Sequence, residues 1–434
     1  MKKMRSEAGQ TFVLLAIMLI GLLGFSALAI DGGSLYHEHR RAQNAADSAA
    51  MAAAYAKIVG NPLGTVALNS AAANDFVTTP QACDPAGLDC ILGVGTDLTI
   101  EVTNPPREGE YAGDSKYIRV YIEHGVQSNF AHLVFPGGLR NAAEAVSRVW
   151  PSEPYAPGYA ITALTEHDCE GIWFSGTADT VIDGGGVFSN SDADSVSCQS
   201  GVQGGTGDVT VNPPHQIEVV GGFDIGGSGI VSPLPVEGVD PLETRAIITP
   251  DCSGLATDYG KEQINAGQTK TIQPGLYEEI SVNSGDVTLA PGMYCIYGDK
   301  GFKATGGTVT GTGVMLYLQV GPFSLSANTT VNLTAEMNPD VLVDPSGNDW
   351  MGMLVFVDPS NTSDIILNGN QGTTYTGTVF APSALVTLNG SGTTLGVNSQ
   401  IIGLNVKITG TAEVDITYDQ ATNYSLPPSI DLVK

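Results

Sequence analysis

The chain has 434 residues, 18 Lys and Arg against 45 Asp and Glu, and a formal net charge of −27. So few cations exclude a general nucleic-acid binder, because no basic surface neutralises phosphates, and 42% hydrophobic residues exclude a disordered acidic tail. The 54 glycines favour turns and β-structure over a helical bundle. Residue 150 divides two kinds of sequence. Before it lie 11 basic residues, 14 acidic residues and 15 Gly; after it lie 7, 31 and 39. The length allows two or three domains with ample core.

Residues 11–30, TFVLLAIMLIGLLGFSALAI, carry no charge. At 1.5 Å per residue they span ~30 Å, the thickness of a bilayer's hydrocarbon core. Lys2, Lys3 and Arg5 precede them, with Glu7 the only nearby acid. This predicts a cytoplasmic tail over 1–10, a transmembrane helix over 11–30, and export of the rest. A cleaved signal peptide is the competing reading, with Ala27-Leu28-Ala29 as the processing site. The apolar run is longer than a signal peptide's, and helix-compatible sequence continues beyond it, which favours an uncleaved anchor. After Asp31 the chain is rich in Ala, the best helix former. Leu35, Ala42, Ala46, Ala49, Ala53 and Ala56 recur at spacings near three and four, a narrow stripe of small residues. Gly60-Asn61-Pro62 ends the helix. As one helix, 11–58 is a rod of ~72 Å.

Glu7-Ala8-Gly9-Gln10-Thr11, the apolar span, Leu28-Ala29-Ile30-Asp31-Gly32-Gly33 and the stretch RAQNAADSAA from Arg41 to Ala50 resemble the N-terminal segment of TadG-like Flp pilus-assembly proteins. The resemblance covers about fifty residues. It implies an inner-membrane protein of a bacterial tight-adherence pilus system, acting with other pilus-assembly proteins. Relatives processed as pseudopilins carry a Glu five residues after the cleavage Gly. Counted from Gly9 that position is Leu14, so prepilin-peptidase processing is not expected.

The module over 31–157 reads as small and mixed. Residues 97–103 and 116–122 alternate apolar and polar, as half-buried strands do. Residues 126–135 read as a short helix, and His132 within it as a packed or surface residue. Residues 142–149 are ambiguous between helix and strand; the TadG-like pattern makes them a strand. The Ala-rich helix is expected to lie across this antiparallel sheet.

Residues 158–434 carry short runs of β-formers punctuated by Gly, Asn, Asp and Ser. Pro274-Gly275-Leu276-Tyr277 recurs as Pro291-Gly292-Met293-Tyr294. Gly377-Thr378-Val379-Phe380 is echoed by Ser399-Gln400-Ile401-Ile402, and Val386-Thr387-Leu388-Asn389-Gly390 by Val406-Lys407-Ile408-Thr409-Gly410. Periods near twenty residues predict stacked coils, a β-solenoid of the right-handed parallel β-helix type; a β-sandwich is the alternative. The fold class expected is thus mainly β. Cys83, Cys90, Cys169, Cys198, Cys252 and Cys295 all follow the apolar span. An even count in an exported segment predicts disulfides. Six cysteines allow fifteen pairings, and neighbours in sequence are favoured: Cys83–Cys90, Cys169–Cys198 and Cys252–Cys295. Nothing has zinc-like spacing.

Chemistry is scarce. Asp192 with Asp194, and Glu278 with Glu279, are acid pairs, but adjacent acids are expected in so acidic a region. Arg245 is the only Arg after Arg148, and His167 and His215 are the only histidines there. An enzyme acting on anionic sugars would be poorly served, and no nucleophile-elbow, P-loop or zinc-protease motif occurs. No catalytic, cofactor or metal site is therefore expected. Asp358-Pro359-Ser360-Asn361-Thr362 comes nearest to an adhesion-domain metal motif, but reads as a turn. The run from Ser189 to Asp194 reads as a solvated turn, with calcium ligation the alternative. Three functions compete: a membrane-anchored structural protein assisting pilus assembly, anchoring or surface adhesion; an adhesin freed by cleavage after Ala29; and a polysaccharide-active enzyme. The first implies as partners the membrane, pilus-assembly proteins and an extracellular surface ligand.

Overall fold

A computed structural model describes residues 8–82, 89–131, 139–194, 200–243, 245, 247–370, 372–391 and 395–434. The chain forms two compact units, residues 1–152 with 428–434, and residues 153–427.

In the first unit α1 (Ala8–Ile58) is one continuous helix. Gly60, at φ +74°, turns the chain into α2 (Leu63–Ala73). An antiparallel sheet follows, of β1 (Thr79–Ala82), β2 (Asp89–Gly95), β3 (Leu98–Asn104), β4 (Tyr117–Val126) and β5 (Leu139–Trp150). The strand Ser429–Leu432 completes it beyond β5. Ala42, Ala46, Ala49 and Ala53 are fully buried, and Ala45, Ala50 and Ala54 join them, so the small-residue face is wider than the stripe in the sequence. These alanines pack on Ile100, Val102, Ile118, Val120 and Ile122 of the sheet. Without larger side chains the backbones come close enough for the Ser147 hydroxyl of β5 to donate to the Ala50 carbonyl at 2.8 Å.

Residues 142–149 lie in β5, as the resemblance implied. The short helix expected over 126–135 does not begin where expected: Val126 ends β4, 127–130 are not helical, Ala131 opens a 3-10 turn, and residues 132–135 lie outside the described residues. The bonds that hold this stretch come from a distant residue: the N–H groups of Asn129, Phe130 and Ala131 all donate to the Asp31 carboxylate. His132 lies outside the described residues, as do Lys2, Lys3, Arg5 and Glu7.

The second unit is an all-parallel β-solenoid. Its first coil has strands Tyr159–Ala163, Ile172–Phe174 and Thr180–Asp183. The next stacks in parallel through Gly186–Ser189, Val202–Gly204 and Val209–Val211. Ile217–Val219, Phe223–Ile225 and Val231–Ser232 extend the stack, and Val236–Glu237 ends this run. The inward residues, such as Ile172, Ile182, Val187 and Ile217, form one column of core.

The chain then goes to the opposite end. Strands Lys261–Asn265 and Thr269–Ile272 begin a second run that stacks coil by coil toward the first. Its last coil closes on the first coil of the unit: Ile401 pairs with Ile161, Val406 with Ile172, and Val414 with Thr180. The chain therefore starts in the middle of the stack, builds outward, crosses over, and builds back to where it began. Chain order and spatial order differ, although every strand remains parallel.

The repeats take their places in this stack. Val379 pairs with Ile401, and Val386 to Gly390 pair with Val406 to Gly410, in the register of the sequence echoes. The Pro-Gly-x-Tyr repeat is seventeen residues apart in sequence, yet Tyr277 pairs with Ile296 and Gly275 with Tyr294. The two tyrosines still stack, centroids 5.9 Å apart, and each hydroxyl donates to the carbonyl four residues back. Glycine serves the corners. Gly410 has φ +125°, and a Cβ there would strike the Gly390 carbonyl of the next coil.

The second compact unit runs from 153 to 427, with its first strand at Tyr159; residues 428–434 belong to the first unit, where the C-terminal strand pairs with β5 and Trp150 Nε1 donates to Asp431 at 2.7 Å.

The crossing segment is a strap. The Leu242 N–H reaches Asn190 Oδ1 at 2.9 Å, Arg245 donates to the Pro427 carbonyl at 2.9 Å, and Cys252 is disulfide-bonded to Cys295. Beneath it the strands Val314–Leu318 and Met353–Val357 are buried on both faces. Their outward Met315, Tyr317 and Phe356 form a second core with Trp350, Phe380 and Tyr424. Replacing Cys252 and Cys295 together by Ser should lower unfolding stability by about 2–4 kcal/mol, by releasing a long loop in the unfolded chain. Chemical denaturation of the purified protein measures it.

Asp344 fastens this cover. It accepts from Trp350 Nε1 at 2.9 Å, from the Asn348 N–H at 3.0 Å, and from the Asp251 N–H of the strap at 3.2 Å. Burial pushes its pKa up, but these hydrogen bonds outweigh burial and hold it below the ordinary carboxylate value of 3.8. The folded pKa is thus depressed, so the stabilisation is full above the unfolded value and fades as pH falls through the folded one. Asp344→Asn should cost about 1–3 kcal/mol at neutral pH. Titrating stability from pH ~6 to ~2 should then show a smaller acid loss than in the unchanged protein.

Candidate membrane anchor and solenoid surface

Within α1 the environment changes along the helix. Phe12 to Ile30 includes an 18-residue apolar window with none of it buried; Phe12, Leu22 and Phe25 are 78%, 68% and 78% exposed. Its polar Ser26 donates to the Leu22 carbonyl at 2.9 Å, so it adds little cost in an apolar medium. From Ala42 onward the same helix is buried on its sheet. The stretch is long and apolar enough to span a bilayer or to serve as a signal sequence.

Asp31 marks the transition and is only 5% exposed. Its carboxylate receives the N–H of Asn129 at 2.7 Å, that of Phe130 at 2.9 Å, and that of Ala131. Burial raises its pKa, but these backbone bonds outweigh that and keep the group ionised below the usual range. Farther along, Arg41 bonds both oxygens of Glu38 and also reaches Asp75 at 3.1 Å. Sequence reading singled out Asp31 only as part of a motif, because its partners lie about a hundred residues away.

In the solenoid the two acid pairs do not form paired-carboxylate sites. Asp192 holds His167 at 3.0 Å, and that hydrogen bond raises the imidazole pKa; both groups are exposed. Glu278 points to Lys261 at 3.1 Å, whereas Glu279 is buried, 3.8 Å from Lys300. The turn from Ser189 to Asp194 uses its oxygens internally. The Ser189 hydroxyl donates to the Gly201 carbonyl, the Ser191 hydroxyl to that of Asp168, and Asn190 holds the strap. Asp358 accepts from Ser360 and from the Tyr317 hydroxyl, and the next element is the strand Ile365–Gly369. Among the described residues no group of three or more His, Cys, Asp or Glu is placed to hold a metal ion.

Cys90 and Cys169 are disulfide-bonded. Cys83 and Cys198, their expected partners, lie outside the described residues. His215 takes part in a turn, its N–H on the Asn212 carbonyl at 3.2 Å. One face of the second run carries an outward row of Thr271, Thr288, Thr310, Asn332 and Thr374, one per coil. Thr288 and Thr310 lie 3.2 Å apart, and the Asn332 amide donates to the Thr374 hydroxyl at 2.9 Å, so neighbours in the row bond to each other.

No curated protein and no solved structure matches the chain. Residues 9–56 match the family model described as putative Flp pilus-assembly TadE/G-like. The matched stretch is nearly the whole of α1, the apolar helix and the alanine face behind it, and leaves the antiparallel sheet and the solenoid outside the likeness.

Proposed function

We propose that the protein is a single-pass structural component of a Flp pilus system. Its N-terminus is cytoplasmic, α1 stays uncleaved, and both folded units are exported. The solenoid acts as a rigid acidic body in pilus assembly, anchoring or surface adhesion, and catalyses nothing. One observation carries this reading: α1 runs unbroken from the bare apolar span into the alanine face buried on the sheet. A cut after Ala29 would make Asp31 the second residue of the new chain, where fraying competes with its hydrogen bonds. The hydroxyl-lined solenoid face and the dispersed acids support a structural role.

Deleting the gene and scoring piliation together with surface attachment tests the role. Loss of either, restored by the unchanged gene, is expected; a deletion strain normal in both refutes it. Mass spectrometry of the N-terminus tests the anchor, since the adhesin alternative requires a chain beginning at Ile30.

A further inference from the structure

Where α1 leaves its apolar span, the segment held by Asp31 folds back against it. An apolar groove results, lined by Leu23, Ala27 and Leu28 of the helix and by Phe130, Ala131 and Leu139. Phe130 is 43% exposed although Asp31 holds its backbone, and Tyr36, farther along α1, is 65% exposed. The helix wall of the groove belongs to the same unburied window that spans a bilayer by length. Aromatic side chains at that depth lie in the boundary between hydrocarbon and headgroups.

We propose that Phe130, Ala131 and Leu139 form a second membrane contact: they immerse in the boundary layer of the leaflet through which α1 exits, with lipid acyl chains filling the groove. Asp31 is the positioning residue. This rests on the proposed spanning of the bilayer by α1. The occupant is lipid because the groove continues the apolar surface of the span, and Asp31, the one charged side chain among its described lining residues, has its carboxylate taken up by backbone N–H groups. Helix alone would leave the carboxylate facing lipid, at a cost of several kcal/mol for an unpaired charge. The three N–H groups instead satisfy it, and the loop carrying them presents an aromatic ring to the same layer. Two contacts also restrict the tilt of α1 and fix the height of the first unit above the lipid.

The full chain is reconstituted in phosphatidylcholine–phosphatidylglycerol vesicles whose acyl chains are brominated near the headgroup or near the chain end. Four versions (Phe130→Trp, Leu19→Trp, and each combined with Asp31→Asn) are compared with the unchanged protein, which supplies the background of Trp150, Trp173 and Trp350. Phe130→Trp should add emission that shallow bromines quench strongly and deep bromines weakly. Leu19→Trp, in mid-span, should show the reverse depth order. Adding Asp31→Asn to Phe130→Trp should remove most of the shallow quenching, since an amide nitrogen cannot accept the loop's N–H groups, and should leave Leu19→Trp unaltered. Unquenched Phe130→Trp beside quenched Leu19→Trp overturns the second contact while the anchor stands. Quenching of neither overturns the anchor itself. Phe130→Trp quenching unaffected by Asp31→Asn overturns the role of Asp31.

Discussion

Ile172→Asp is expected to unfold the solenoid as a whole, whereas Ile264→Asp, at an equally buried core position, frays one coil. Both side chains are 0% exposed, and each substitution buries a carboxylate without a partner, a cost of several kcal/mol. Their places in the stack differ. Ile172 pairs with Val406 on one side and Val202 on the other, at the seam where the last coil of the chain meets the first. The strand of Ile264 pairs with Glu279–Leu289 and starts the second run. Coils touch only their neighbours, so stability is close to a sum of coil and interface contributions. A defect at the seam severs two runs, and one at the end shortens one. Were the coils stacked in chain order, Ile172 would lie in the terminal coil and the contrast would reverse. Urea unfolding followed by circular dichroism, with limited proteolysis to locate the frayed segment, gives the answer. Equal losses at the two sites would contradict the seam.

That seam was not legible in the sequence, for a physical reason. The echoes of Val386 to Gly390 in Val406 to Gly410 show what a coil is, because stacked coils repeat their inward residues and corner glycines. They do not show which coil an open edge will meet. Every edge of a parallel stack offers the same N–H and C=O pattern, and the choice is made by the strap, whose Leu242, Arg245 and Cys252 bind positions distant in sequence. The strap also explains why the strands of Met315, Tyr317 and Phe356 are apolar throughout: both of their faces are covered, so the pattern of alternation is lost. The alanine face was legible because helical spacing is local, and the apolar span because length alone reveals it. Residues 127–130 were read as helix because nothing within that stretch reveals that their N–H groups are held by Asp31, about a hundred residues away. The departure of residues 428–434 from the solenoid likewise depends on β5, nearly three hundred residues earlier.

Arginine at both Leu15 and Leu22 should remove the protein from the membrane without unfolding it. The two side chains are 59% and 68% exposed, outside the buried core of the described residues. In a bilayer each arginine near mid-span costs about 2.5–3.5 kcal/mol and each lost leucine about 0.5, so the pair opposes insertion by ~6–8 kcal/mol. The unchanged protein should stay in the membrane pellet after alkaline carbonate washing, and the doubly substituted chain should appear in the soluble or degraded fraction. In detergent the two should melt together, because the buried part of α1 begins beyond the span. The same pair of substitutions separates an anchor from a processed leader. If the chain were cleaved after Ala29, the unchanged protein would already be soluble outside the membrane, and the arginines would instead trap an uncleaved precursor on the cytoplasmic side. Carbonate-resistant unchanged protein of full length, lost on substitution, is the outcome that a spanning α1 requires.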